Sequence, residues 1–153
     1  MKIENHLTAL GIELPVPPVP VAAYVPCRQT GNLVYVSGQG PAINGQVRKP
    51  GKVGIDLTPE EGYQAARDCG LNIIAQLKKF LGDLDRVKAV VQVVGYVACD
   101  QAFAGQPQVI NGVSDLMADV FGEAGKHTRY ALGANALPGN IPVEVGAIVE
   151  IDG

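Results

Sequence analysis

Two residues near the C-terminus have types and a spacing that can do chemistry: Arg129 and, fifteen positions later, Glu144. A guanidinium is planar and always charged, and its fork of N–H donors matches a carboxylate two bonds at a time. Glu144 interrupts the apolar run Val143-Glu-Val-Gly-Ala-Ile148, where a carboxylate is costly to bury unless it is paired or working. An arginine clamp with an acid/base nearby describes a site for a small carboxylated molecule. A structural salt bridge between the two side chains fits the same pattern, as does a Glu144 that faces solvent at a sheet edge.

Three further positions offer polar groups. Ser37-Gly-Gln39 closes an apolar strand, giving a hydroxyl and a glycine that lets a ligand approach the backbone. An ordinary strand-to-turn junction has the same composition. Tyr24 follows Val21-Ala-Ala23 and can lid a pocket or cap a core edge, and Asn111 sits inside a helical stretch as a polar contact or a solvent-facing residue. The sequence shows no Ser-His-Asp set, phosphate loop, dinucleotide fingerprint or metal cluster. Cys27, Cys69 and Cys99 are odd in number and widely spaced, and only two histidines accompany them. Neither a zinc site nor a disulfide framework is expected, and a reducing, cytoplasmic location is.

The elements that must position these residues read as follows. Residues 2–10 form a short helix with Ile3, Leu7 and Leu10 at helical spacing. Pro15-Val-Pro-Pro-Val-Pro20 is an extended strap, since each proline removes a donor and restricts its predecessor. Leu33–Gln39 is a strand introduced by Gly31-Asn32, and Asn44-Gly45 turns the chain back through Gln46-Val-Arg48 as its hairpin partner. Thr58-Pro-Glu-Glu61 opens a long helix with a capping box, and Gly82 ends it. Cys69 falls on its inward stripe as a core residue. Val87–Cys99 is a nearly continuous apolar, central strand, and a second helix spans about Gln106 to Phe121. The final 27 residues are two strands joined by Leu137-Pro-Gly-Asn140, with Arg129 on the strand that returns beside Glu144.

The order β-β-α-β-α-β-β describes an α+β domain with one mixed sheet and two helices packed on one face. The other sheet face carries Tyr35, Val91, Val93 or their alternates, too apolar to stay wet, so oligomerisation is expected. The 153 residues are read as one domain, 1–153, with residues 1–23 its N-terminal helix and strap. At 47% hydrophobic and 18% charged residues the chain is globular, and a net charge of −3 supplies no basic field for nucleic acid. No apolar leader or membrane span is visible.

Together these residues resemble the Rid (YjgF-type) family of reactive-intermediate deaminases. The resemblance runs from about Tyr24 to the C-terminus. It rests on Gly31-Asn-Leu-Val-Tyr-Val-Ser-Gly-Gln39, on Arg129 followed by Leu137-Pro138, and on Val143-Glu-Val-Gly-Ala-Ile148. It implies a chorismate-mutase-like fold, a homotrimer whose sheets form a central barrel, and three clefts between subunits. It implies that Arg129 binds the carboxylate of a 2-imino or 2-enamino acid and that Glu144 positions or activates water. Tyr24, Ser37, Asn111 and Ala131 fall on the family's substrate-binding positions. The implied reaction is hydrolysis of a C=N bond to a 2-oxo acid and ammonia, with neither metal nor cofactor. A specialised catabolic deaminase of an aminomuconate-like product, or a trimer that binds small carboxylates without chemistry, stands as the alternative. Family deaminases often carry a cysteine two residues beyond the arginine, where this chain has Ala131. That departure and the longer N-terminus mark a divergent member.

Overall fold

In the computed structural model, which describes all residues 1–153, the first hairpin turns on Gly31 at φ +56°. It joins β1 (Cys27–Thr30) to β2 (Leu33–Gln39) with Thr30 opposite Leu33. The partner expected at residues 46–48 is therefore replaced by residues 27–30. Asn44-Gly45 does make a turn, with both residues at positive φ, but Ile43 and Gln46 form only an isolated bridge. The reason lies in the long helix: Asn72 donates to the carbonyls of Gly40 and Ala42 at 3.0 and 2.8 Å, drawing this segment onto the helix and off the sheet.

That helix, α2 (Pro59–Leu81), begins with the capping box in both directions. Thr58 accepts from the Glu61 backbone at 3.1 Å, and Glu61 accepts from the Thr58 backbone at 2.9 Å. Gly82 closes it at φ +81°. The second helix, α3 (Gln106–Phe121), lies against α2 where Gly112 meets the Tyr63 carbonyl, a contact with no room for a side chain. A short N-terminal helix, α1 (Lys2–Ala9), buries Leu7 and is held by Asp85, which accepts from the Lys2 and Ile3 backbone amides at 2.8 Å each. The proline strap forms neither helix nor strand; its Pro18 carbonyl accepts from Gln76 at 2.7 Å.

The sheet order is β1-β2-β5-β3-β4, with β3 at Val87–Ala98, β4 at Thr128–Ala134 and β5 at Val143–Ile151. β3 runs parallel to β4 and antiparallel to β5. The last two strands are thus not neighbours. The twelve-residue β3 takes a partner on each side, so the Leu137–Asn140 connection crosses from one side of β3 to the other. Arg129 consequently lies two strands from the strand that holds Glu144.

The mixed sheet with its helices on one face is the expected α+β class. Val143, Val145, Ala147, Val149 and Ile151 point into the core beneath the helices, and so does Val93, which is fully buried. The open face presents Tyr35, Val91, Tyr96, Tyr130 and Leu132 instead. No helix is long and apolar enough to cross a membrane.

Candidate functional site

Side chains alternate along β4, and the alternation places Arg129, Ala131 and Gly133 toward α3. Arg129 Nη1 donates to Asn111 Oδ1 at 2.7 Å and to Ser114 Oγ at 3.2 Å. Ser114 in turn meets His127 Nε2 at 2.9 Å, and His127 Nδ1 meets the Gly125 carbonyl at 2.6 Å. Both partners of Arg129 are neutral, and none of the chain's ion pairs includes it. The salt bridge with Glu144 that sequence spacing allows does not form.

Glu144 pairs across the sheet with Tyr96 and stands on the open face, half-buried, with no hydrogen bond or ion pair of its own. Its carboxylate lies over Gly38: a Cβ placed there would come within 2.5 Å of Glu144 Oε2. The glycine therefore creates the space that the carboxylate occupies. A β-bulge presents it, since Val36 pairs with Ala147 and Gln39 with Val145, leaving Ser37 and Gly38 to oppose a single step of β5. Ser37 fixes the bulge to the residues just before β1, its hydroxyl donating to Val25 O at 2.7 Å and its amide to Pro26 O at 2.8 Å. From the helix side, Gln76 donates to Gln39 Oε1 at 3.2 Å. Tyr24 is 55% exposed and borders a cavity of about 200 Å³ with Pro18, Pro20, Gly38 and Gln76.

The predicted residues thus fall into two half-sites. Arg129, Asn111 and Ala131 lie at the edge strand on the helix side, with Ala131 packed against the core. Glu144, the Ser37-Gly38 bulge and Tyr24 cluster around the far end of β2. One chain does not join them. Sequence reading missed Ser114 and His127. Their signal was present, because Asn111 and Ser114 share a helix face at i, i+3 and His127 and Arg129 share a strand face at i, i+2.

All three thiols are buried and free. Burial pushes Cys27 up to about 11, and burial, then the neighbouring Asp68 and Glu144, raises Cys69 well above the ordinary thiol range. Neither supplies a thiolate nucleophile at neutral pH.

Residues 4–150 match the family model described as "YjgF/chorismate_mutase-like, putative endoribonuclease". The chain is 41% identical to Protein TCP17 of Trypanosoma cruzi over 99% of its own length and 95% of that protein's. A crystal structure of the Agrobacterium tumefaciens protein Atu1372, described as of unknown function, is 46% identical. It superposes with a TM-score of 0.91 over 98% of this chain and 92% of the other. A Shewanella oneidensis structure described as a putative endoribonuclease is 36% identical, with a TM-score of 0.94 over 97% and 99% of the two chains. With the fold, the bulged Ser37-Gly38 junction and the Arg129 and Glu144 strands accounted for along the same length, the chain belongs to the YjgF/chorismate mutase-like family and is a Rid-type member of it.

Proposed function

We propose that this protein is a hydrolytic deaminase of small 2-imino or 2-enamino acids, assembled as a homotrimer with its clefts between subunits. One observation carries the reading: Arg129 is held in place by neutral acceptors, with its positive charge unmatched inside its own chain. An arginine positioned this way is ready for an external carboxylate. The carboxylate without a partner, Glu144 over Gly38, is the complementary acid/base.

The chemistry balances simply. Arg129 binds the substrate carboxylate and fixes the C=N carbon in the cleft. Glu144 accepts a proton from water as the water oxygen bonds to that carbon, and the C=N electron pair moves to nitrogen. Glu144 passes that proton to the nitrogen, giving the carbinolamine. It then takes the hydroxyl proton and delivers it to the nitrogen as C=O forms and the C–N bond breaks, so that ammonia leaves and the 2-oxo acid remains. An imine is already electrophilic, so orientation and one acid/base supply most of what is required. A catalytic cysteine has no part in this sequence of steps, which accommodates Ala131.

The test generates 2-iminobutyrate in situ with an amino-acid oxidase and traps the remaining imine with semicarbazide. Wild type is expected to accelerate imine loss. Arg129→Ala should lower kcat/KM by at least about two orders of magnitude, since two charge-assisted bonds are lost. Equal rates in the two proteins would reject the reading. Binding of 2-oxobutyrate by wild type without imine loss would move the assignment to a carboxylate-binding trimer. RNA cleavage, named in the description of the Shewanella relative, is assayed on the same preparation; the net charge of −3 provides little for phosphates to hold.

A further inference from the structure

The polarity of every hydrogen bond around Arg129 can be assigned, and the assignment reaches beyond the family site. The Gly125 carbonyl only accepts, so His127 Nδ1 carries a proton. In the neutral imidazole Nε2 is then bare and accepts from the Ser114 hydroxyl. The Ser114 proton is thereby committed to His127, and the Ser114 oxygen turns its remaining lone pairs toward Arg129. Asn111 Oδ1 accepts from the same guanidinium nitrogen. Both hydrogens of Nη1 are spent, while Nε–H and Nη2 make no hydrogen bond within the chain.

We infer that Ser114 and His127 are positioning residues. Their relay from the Gly125 carbonyl locks Arg129 by Nη1 and reserves its Nε–Nη2 edge for side-on, bidentate capture of a planar carboxylate. This deepens the proposed function and rests on Arg129 being the carboxylate clamp. Nε and Nη2 lie side by side at the spacing of two carboxylate oxygens, so a guanidinium held by the opposite nitrogen meets its ligand in one orientation. A clamp that is oriented beforehand loses less entropy on binding. Ser114 and His127 touch no substrate atom in this arrangement and act only through Arg129.

The first measurement needs neither ligand nor variant. With histidine labelled by nitrogen-15, and only His6 and His127 present, the ring shifts of His127 report its tautomer above histidine's ordinary titration range. The expected result is protonated Nδ1 and bare Nε2; the opposite tautomer overturns the relay. The second compares Ser114→Ala with Ser114→Thr and His127→Leu with His127→Gln, which keeps an acceptor where Nε2 stands. Unfolding midpoints and oligomeric state serve as folding controls. Ser114→Ala and His127→Leu are expected to raise KM for 2-iminobutyrate and Kd for 2-oxobutyrate roughly tenfold, the scale of one bond to a charged group, with kcat within about twofold. The threonine and glutamine variants should hold wild-type values. Wild-type Kd in Ser114→Ala would overturn the proposal while leaving the deaminase reading intact. Wild type that shows the expected tautomer but binds no 2-oxo acid would remove the clamp reading, and the relay's role with it.

Discussion

A charged side chain that meets no opposite charge in its own fold keeps its field for something else, and Glu144 is placed to do so by what its neighbour lacks. The space its carboxylate occupies exists because residue 38 has no Cβ. Gly38→Ala is therefore a test of the carboxylate's position that leaves its chemistry unchanged. The nearest atoms are the mobile end of Glu144, so the side chain swings away and the backbone is spared. Imine hydrolysis should fall by roughly a hundredfold, the cost of misplacing a reacting group by about an ångström. The thermal unfolding midpoint should change little. A fully active Gly38→Ala protein would show that Glu144 does not work from this position. The two key residue types were legible in the sequence, because arginine and glutamate among aliphatics are conspicuous. Gly38's role was legible only as ligand access. Its service to Glu144 depends on a bulge that shifts the β2–β5 register, and register is a property of two strands rather than of one.

Elements with local signals behave as those signals say. The α2 cap is written in four consecutive residues, and both of its hydrogen bonds form. Thr58→Ala should cost about 1 kcal/mol in denaturant unfolding, while Thr58→Ser should cost little. The N-terminal helix depends on a distant partner. Backbone amides of Ile3 and then Lys2 hold the Asp85 carboxyl far below the usual carboxylate range. A carboxylate lowered in the folded state contributes stability that is fully present above its unfolded value, and that contribution is lost as pH falls through the folded value. Amide protection of α1 should thus be intact at pH 5 and decline progressively as pH falls below about 4, the ordinary carboxylate value. Asp85→Ala should lose much of this protection already at neutral pH, as hydrogen exchange would read. Equal protection in both proteins would assign the docking of α1 to Leu7 burial and to the bonds of Glu4 and His6. The element errors share one cause. Residues 46–48 and the β4–β5 pairing both looked like hairpins from a turn sequence, yet neither pairing forms. Asn72, thirty positions away from Ala42, captured the first segment, and the valine-rich β3 inserted itself between the strands of the second. Turn chemistry is local, whereas partner choice is decided by which strand offers a buried face and two free edges.

For the whole molecule, the decisive fact is that Arg129 and Glu144 lie two strands apart on opposite faces of one sheet. A single small substrate cannot touch both within one chain. The open face offers Tyr35, Val91, Tyr96, Tyr130 and Leu132 to a partner, more apolar surface than a monomer usually leaves in water. A substitution there, Leu132→Asp, should dissociate the proposed trimer in analytical ultracentrifugation and abolish turnover together, although residue 132 lies on the strand face opposite Arg129 and two strands from Glu144. Activity retained in a dissociated protein would place the whole reaction within one chain. Complementation separates the possibilities more sharply. Arg129→Ala and Glu144→Ala proteins are each expected to be inactive alone. In a trimer co-assembled from both, some clefts take their arginine from the Glu144→Ala chain and their glutamate from the Arg129→Ala chain. Those clefts are intact if the residues come from different subunits, so mixing should restore a measurable fraction of wild-type turnover. If both residues served one chain's own site, every chain in the mixture would carry a defect and mixing would restore nothing. The proposed intersubunit cleft predicts the first result, because β3 stands between the two strands and the sheet itself stands between the two side chains.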